Sequence, residues 1–322
     1  MSILSKINEL LSAKKLAKNG VLGINRRNAE YTLKYNPRRL YPLVDDKLRT
    51  KHLASEAGIA VPELYGLIET EYQVRKLPDL LKRYSDYAIK PSRGSGGRGI
   101  IVISGRSKEM YRDAGGLIIS QDEVSHHVLN ILSGMYSLGG QPDKTLIEYR
   151  VHFDPVFEAI CYQGVPDIRI IVFLGIPVMS MVRLPTRMSG GKANLHQGAI
   201  GAGIDIPTGM TLSAVWRDRI VTEHPDTGNE VTGLKIPHWS RLLGLASRCY
   251  ELTGLGYIGV DIVLDKEKGP LILELNARPG LNIQIANRAG LLPRLKLTEQ
   301  HHGNFHTVDE RVSFAVEHFS AH

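Results

Sequence analysis

The chain has 322 residues, 43% of them hydrophobic and 23% charged, a composition that excludes a low-complexity polymer and suffices for two or three lobes with a full core. Its two cysteines, Cys161 and Cys249, have no CxxC spacing; they are read as reduced core residues rather than a disulfide framework. The net charge of +7 is local: residues 1–51 hold twelve lysines and arginines against four acids, and the rest is close to neutral. With no apolar run of about 18 residues and no signal-like start, a soluble cytoplasmic protein is expected.

Residues 3–17, ILSKINELLSAKKLA, space their apolar residues at helical intervals and cluster lysines toward the end. This predicts a basic amphipathic helix, docked on the body in preference to lying on a membrane surface. Residues 25–42 mix arginines with Tyr31, Tyr35 and Tyr41, yet carry no recognised nucleic-acid motif.

From Asp45 the stretch DDKLRTKHLASEAG predicts a helix ending near Gly58 with Lys47 in its first turn, then a short strand entered through Pro62. A second helix is predicted over 71–83. It leads into YAIKPSRGSGGRGIIVI, where Gly94, Gly96 and Gly99 fit G-x-G-x-x-G. A dinucleotide or Walker loop would open a helix, whereas this loop runs into the β-branched Ile100-Ile101-Val102-Ile103. Strand, glycine loop, strand describes a flap whose bare N–H groups can cover phosphates, with Ser92, Arg93 and Arg98 as further donors and Lys90 on the strand before it.

Residues 121–136 read as a helix and 145–151 as a short strand. PDIRIIVFLGIPVMSMVRLPT reads as a hairpin centred on Ile176, which would set Arg169 and Arg183 on neighbouring strands facing one site. Buried arginines need anionic partners, and a transferring phosphate or a structural ion pair would serve. Residues 187–206, glycine-rich and holding Lys192, Asn194 and His196, read as a loop able to close on the reacting groups. Residues 238–254 predict a helix stopped at Gly254, and the histidine-containing end reads as an exposed polar tail.

The strongest stretch is GYIGVDIVLDKEKGPLILELNARPG, residues 256–280. Two apolar runs flank a charged turn. A turn symmetric about the Glu267–Lys268 bond sets Asp261 opposite Glu274, with Asn276 on the same face. Two facing carboxylates repel. A hard cation would resolve the conflict, and an oxygen-only donor set suits Mg²⁺ or Mn²⁺ that shares its shell with phosphates.

In this order the motifs resemble the ATP-grasp superfamily, and the alpha-L-glutamate ligase-like branch within it. The residues that carry the resemblance are DDKLRTKHLASEAGIAVP, YAIKPSRGSGGRGI, DIRIIVFLGIPVMSMVRLP, ANLHQGAIGAGID and the hairpin with its continuation NIQIANRAGL, together spanning about Asp45 to Leu291. The resemblance implies an α+β fold in which two α+β lobes clamp ATP: a basic helical extension over 1–44, an N-lobe with the flap over 45–147, a C-lobe with the metal hairpin over 148–295, and a tail over 296–322.

It further implies that Lys47, Lys90 and the loop Ser92, Arg93, Gly94, Ser95, Gly96, Gly97, Arg98 and Gly99 bind ATP. Glu148 and Tyr149 would lie at the adenine hinge, and Asp261, Glu274 and Asn276 would hold Mg²⁺. Arg169, Arg183 and Asn194 would steady the transferring phosphate, and Arg278 would contact the substrate carboxylate. The implied chemistry is phosphorylation of a carboxylate followed by attack of an amine, with an amino acid or peptide as donor and acceptor. The alternatives are a kinase on the same scaffold and a nucleotide-binding module without turnover. Only about 45 residues precede the Lys47 helix, so a partner chain or a large substrate is expected to help form the acceptor site.

Overall fold

The computed structural model describes residues 14–320 except 95, 108, 109 and 218. Most of the helix expected over 3–17 lies outside them; residues 14–18 are helical. Two antiparallel sheets organise the chain. The first contains β1 (Leu64–Ile68), β2 (Tyr87–Pro91), β3 (Ile101–Ser107), β4 (Met110–Asp113), β5 (Ile118–Ile119) and β6 (Thr145–Glu148), in the order β1-β6-β2-β3-β4-β5. The second contains β7 (Asp167–Phe173), β8 (Ile176–Leu184), β9 (Ile200–Ile204), β10 (Thr211–Trp216), β11 (Arg219–Val221), β12 (Tyr257–Asp265) and β13 (Gly269–Asn276), in the order β11-β10-β9-β8-β7-β12-β13.

Local chemistry sets the helix starts. In α1 (Lys47–Glu56) the Asp46 carboxylate accepts from the N–H groups of Leu48 and Arg49, two donors that a helix N-terminus leaves unpaired. Ser120 and Glu123 cap α2 (Gln121–Leu132) reciprocally. The helix expected over 238–254 is α3 (Trp239–Thr253), ended by Gly254 at φ +67°, a conformation that glycine adopts without strain. The single helix expected over 71–83 is two short ones, Glu71–Val74 and Leu77–Leu81, because Pro78 lacks the N–H that would extend the first.

Each sheet has its own core. Tyr87, Ile89, Ile103, Val124, Val128 and Ile147 pack on the first sheet. The second is larger and includes Ile170–Phe173, Val178, Met179, Leu242, Leu243 and Ile258. The arginine–tyrosine stretch after residue 24 is part of this core. Tyr31 and Tyr35 set their rings edge-on against Phe173, Arg27 donates to the Pro279 carbonyl at 2.7 Å, and the Asn36 amide bridges the Tyr257 and Ala277 carbonyls.

The exposed tail expected over 296–322 is instead packed. α4 (Leu292–His301) buries Leu295 and Thr298, and α5 (Val308–His318) buries Arg311, Phe314 and Ala315. Thr307 and Glu310 form a capping box ahead of that apolar face, which fixes where α5 begins. No helix among the described residues is long and apolar enough to cross a membrane.

Candidate active site

The two sheets enclose a cavity of about 940 Å³ lined from both sides. Of the residues singled out in the sequence, Lys47, Lys90, Gly94, Gly96, Gly97, Arg98, Glu148, Tyr149, Arg169, Arg183, Asn194, Asp261, Glu274 and Asn276 line it. Ser92, Arg93, Gly99 and Arg278 are not among the lining residues, and Ser95 lies outside the described residues.

On β12 and β13 Asp261 faces Glu274, the expected pair reached by an unexpected route. The turn is centred on Glu267 and not on the Glu267–Lys268 bond: Asp265 pairs with Gly269, whose φ is +71°. A bulge at Leu273 then restores the register at Glu274. A bulge keeps two consecutive side chains on nearly the same side, so both Leu273 and Glu274 reach the cavity.

The carboxylates do not stand unpaired. Arg169 Nε and Nη2 bind the two oxygens of Asp261 at 2.7 and 2.6 Å, and Arg183 Nη2 reaches Asp261 Oδ2 at 2.8 Å. Lys47 Nζ lies 3.2 Å from Glu274 Oε1. The repulsion between the facing acids is therefore relieved by the protein's own cations. Burial opposes ionisation of Asp261, but the two guanidiniums outweigh it and hold the carboxyl at about 2. Asn276 Nδ2 donates to Asp261 Oδ2 at 3.3 Å, which leaves its amide oxygen as an acceptor.

The arginines arrive by a register two residues from the expected one. Phe173 pairs with Ile176 across a turn at Leu174 and Gly175, both at positive φ, the form that matches the twist of a two-residue hairpin. Arg183 consequently faces Asp167, and Arg169 faces Met181. A shift of two leaves every side chain on its original face, so both arginines still meet at Asp261. Asp167, absent from the sequence reading, accepts both Nε and Nη2 of Arg183. Burial pushes Asp167 up, with Arg183 opposing and the Asp261 charge adding to the rise.

Around the flap, Lys47 Nζ donates to the Gly94 carbonyl at 2.6 Å. Gly96 and Gly97 have φ of +65° and +73°. The Gly96 carbonyl accepts from Gln197 Nε2 at 3.0 Å and Asn194 Nδ2 at 3.4 Å, so the loop expected to close on the site touches the flap. Ser92 is buried and donates to Asp46, and Arg93 Nε lies 3.5 Å from Asp46; both brace the start of α1. Arg278 holds its guanidinium 5.3 Å over the Tyr41 ring. At the end of β6, Glu148 pairs with Lys90 and with Lys51. The Tyr149 hydroxyl donates to Asp265 at 3.0 Å; burial and that carboxylate push the phenol up, so it stays protonated.

As a metal site the hairpin is open. No group of three or more His, Cys, Asp or Glu side chains suited to a metal ion occurs among the described residues. Two carboxylates and an amide oxygen fit a hard cation that draws its remaining ligands from phosphates and water, provided that Asp261 or Glu274 yields a contact to its cationic partner.

Residues 26–300 match the model of the sugar-transfer associated ATP-grasp family. No curated protein matches the sequence. Among solved structures, the ATP-grasp ligase PsnB complexed with minimal precursor is 14% identical, with 84% of this chain and 63% of that chain covered and a TM-score of 0.44. The D-cycloserine synthetase DcsG is 13% identical (84% and 73% covered, TM-score 0.45). The D-alanine–D-alanine ligase from Bacillus anthracis is 13% identical (86% and 69% covered, TM-score 0.43). The chain thus spans under two thirds of the PsnB length. The superfamily is the expected one, and the matching model describes a sugar-transfer associated branch of it. With the match running over most of its length, the chain belongs to the sugar-transfer associated ATP-grasp family.

Proposed function

We propose that the chain is an ATP- and Mg²⁺-dependent carboxylate–amine ligase, with residues 45–147 and 148–295 acting as the two lobes that clamp the nucleotide. The observation that carries this reading is the set of cations, Lys47, Lys90, Arg169 and Arg183, turned toward one cavity beside the Asp261–Glu274 pair. Phosphoryl transfer needs positioning and charge neutralisation more than a nucleophilic side chain.

In this reading Glu148 and Tyr149 border the adenine, and Lys90 with the flap N–H groups holds the phosphates. Arg169 and Arg183 neutralise charge on the transferring group, and Asn194 and Gln197 keep the flap down so that water is excluded. Asp261, Glu274 and Asn276 would hold Mg²⁺ or Mn²⁺, which would supply positive charge to offset that of the transferring phosphate. The γ-phosphate passes to a carboxylate oxygen with release of ADP. An amine then attacks the acyl carbon, phosphate leaves, and an amide forms.

The test is incubation with ATP, Mg²⁺ and pools of amino acids, peptides and amino sugars, the last included because of the family's association with sugar transfer. ADP with a condensed product in the mass spectrum is expected. ADP with a phosphorylated product would make the protein a kinase, and absence of turnover would make it a binding module.

A further inference from the structure

Lys51 lies on α1, one turn beyond Lys47, and is only 8% exposed. Its Nζ is 3.0 Å from Glu148 Oε2 and also donates to the Pro62 carbonyl. Glu148 is 2% exposed, and its other oxygen pairs with Lys90, itself 5% exposed. Two ammoniums therefore share one carboxylate in a buried cluster with a formal charge of +1. Lys90 and Glu148 line the nucleotide cavity, whereas Lys51 borders a separate hollow with His52 and Pro62.

A buried glutamate needs only one cation to be neutralised, and a second buried lysine costs desolvation. Burial pulls the Lys51 ammonium below the usual lysine range, with Glu148 opposing and Lys90 adding to the fall. The surplus charge must be compensated from somewhere, and Lys90 is the cation of the cluster that meets the cavity. Were Lys51 absent, Glu148 and Lys90 would form a closed neutral pair, with the Lys90 ammonium held back by a full countercharge.

We infer that Lys51 is a positioning residue for nucleotide binding: by taking a share of the Glu148 carboxylate, it leaves the charge of Lys90 available to a polyphosphate in the cavity. The inference rests on the ATP reading above and adds to it a residue that does not touch the ligand. It places the effect on the phosphates and not on the base.

The test compares ATP, tripolyphosphate and adenosine binding to the full wild-type chain and to Lys51→Met and Lys51→Arg, with thermal melting alongside. Loss of one charge-assisted contact weakens ATP and tripolyphosphate by ~10-fold in K51M. Adenosine affinity stays at the wild-type value, and K51R recovers most of the loss. If K51M does not fold, Lys51→Gln, which can still donate to Pro62, carries the same comparison. Unchanged ATP affinity in the folded variant, or an equal loss for ATP and adenosine, overturns the inference while leaving the ligase reading intact. A wild-type chain that binds no ATP overturns both.

Discussion

Lys47 Nζ sits 3.2 Å from Glu274 Oε1, and the same ammonium donates to the Gly94 carbonyl at 2.6 Å. The first residue of α1 thereby joins the acidic hairpin of one sheet to the glycine flap of the other. Both partners of the ion pair are partly exposed, so the pair itself contributes about 1 kcal/mol or less to stability. Its significance lies in bringing a lysine, a carboxylate and the flap backbone to one point. Glu274→Ala is expected to lower Mg²⁺-dependent ATP turnover by ~100-fold or more while the melting temperature stays near wild type. ADP release measured beside a melting curve checks both halves; an unchanged turnover rate would remove the metal assignment.

The Asp261–Glu274 pair also shows what the sequence can and cannot disclose. An assumed turn about the Glu267–Lys268 bond places the acids opposite one another, and alternation puts Asn276 on the same face. The bulge at Leu273 and the centring of the turn on Glu267 were not legible, because two offsets that cancel leave no trace at the pair itself. For Arg169 and Arg183 the error was two residues, which strand periodicity forgives. Lys51 carries no signal in the sequence, because a lysine near Arg49 and His52 reads as part of a solvated face, and only burial against Glu148 distinguishes it. The packing of α5 does carry a signal, Thr307 three residues before Glu310 with Phe314 and Ala315 beyond, which the five histidines of the same stretch mask with polarity.

Gly96 should not tolerate a branched side chain. Its φ of +65° is strained for any residue with a Cβ, and an added Cβ would lie 3.4 Å from Asn194 Nδ2. That nitrogen donates to the Gly96 carbonyl. Gly96→Val is expected to cost the flap conformation ~1–2 kcal/mol, read as a roughly tenfold weaker ATP affinity. Nucleotide titration at native affinity would count against the flap's role.

Asp265 ties the hairpin turn to the segment after β6. Oδ1 accepts from the N–H groups of Glu267 and Lys268, and Oδ2 from the N–H of His152 and the Tyr149 hydroxyl. Burial opposes its ionisation, but these four donors hold the carboxyl below its ordinary range. A carboxyl depressed in the folded state adds stability above its unfolded pKa and loses it as pH falls through the folded value. Asp265→Asn is therefore expected to cost ~2 kcal/mol at pH 7, with the gap from wild type narrowing below about pH 4. Urea unfolding at pH 7 and pH 3 measures it; a gap independent of pH would show that the charge contributes nothing.

The C-terminal helix should matter to the whole C-terminal core. The Phe314 ring lies 4.9 Å from that of Phe305 and 5.8 Å from that of Phe319. Phe314→Ala is expected to destabilise by ~3 kcal/mol with ATP affinity retained, since the residue does not line the cavity. Denaturant unfolding and nucleotide titration on the same preparation separate the two effects, and wild-type stability in the variant would return residues 308–318 to the status of an appendage.

Arg183 offers the sharpest separation of geometry from charge. Its fork binds Asp167 through Nε and Nη2 and reaches Asp261 through the same Nη2, so one planar group orients two buried acids. Lysine would preserve the net charge of the cluster, but a single ammonium cannot reproduce a fork that holds both carboxylates. If Arg183 served only as a countercharge, Arg183→Lys would leave turnover near wild type. If its role is to fix where positive charge meets the transferring phosphate, turnover falls by ~100-fold while ATP affinity, which the proposed reading assigns to Lys47, Lys90 and the flap, changes little. Single-turnover kinetics together with an ATP titration distinguish the two, and equal losses in both would mean that Arg183 belongs to the binding of the nucleotide as a whole.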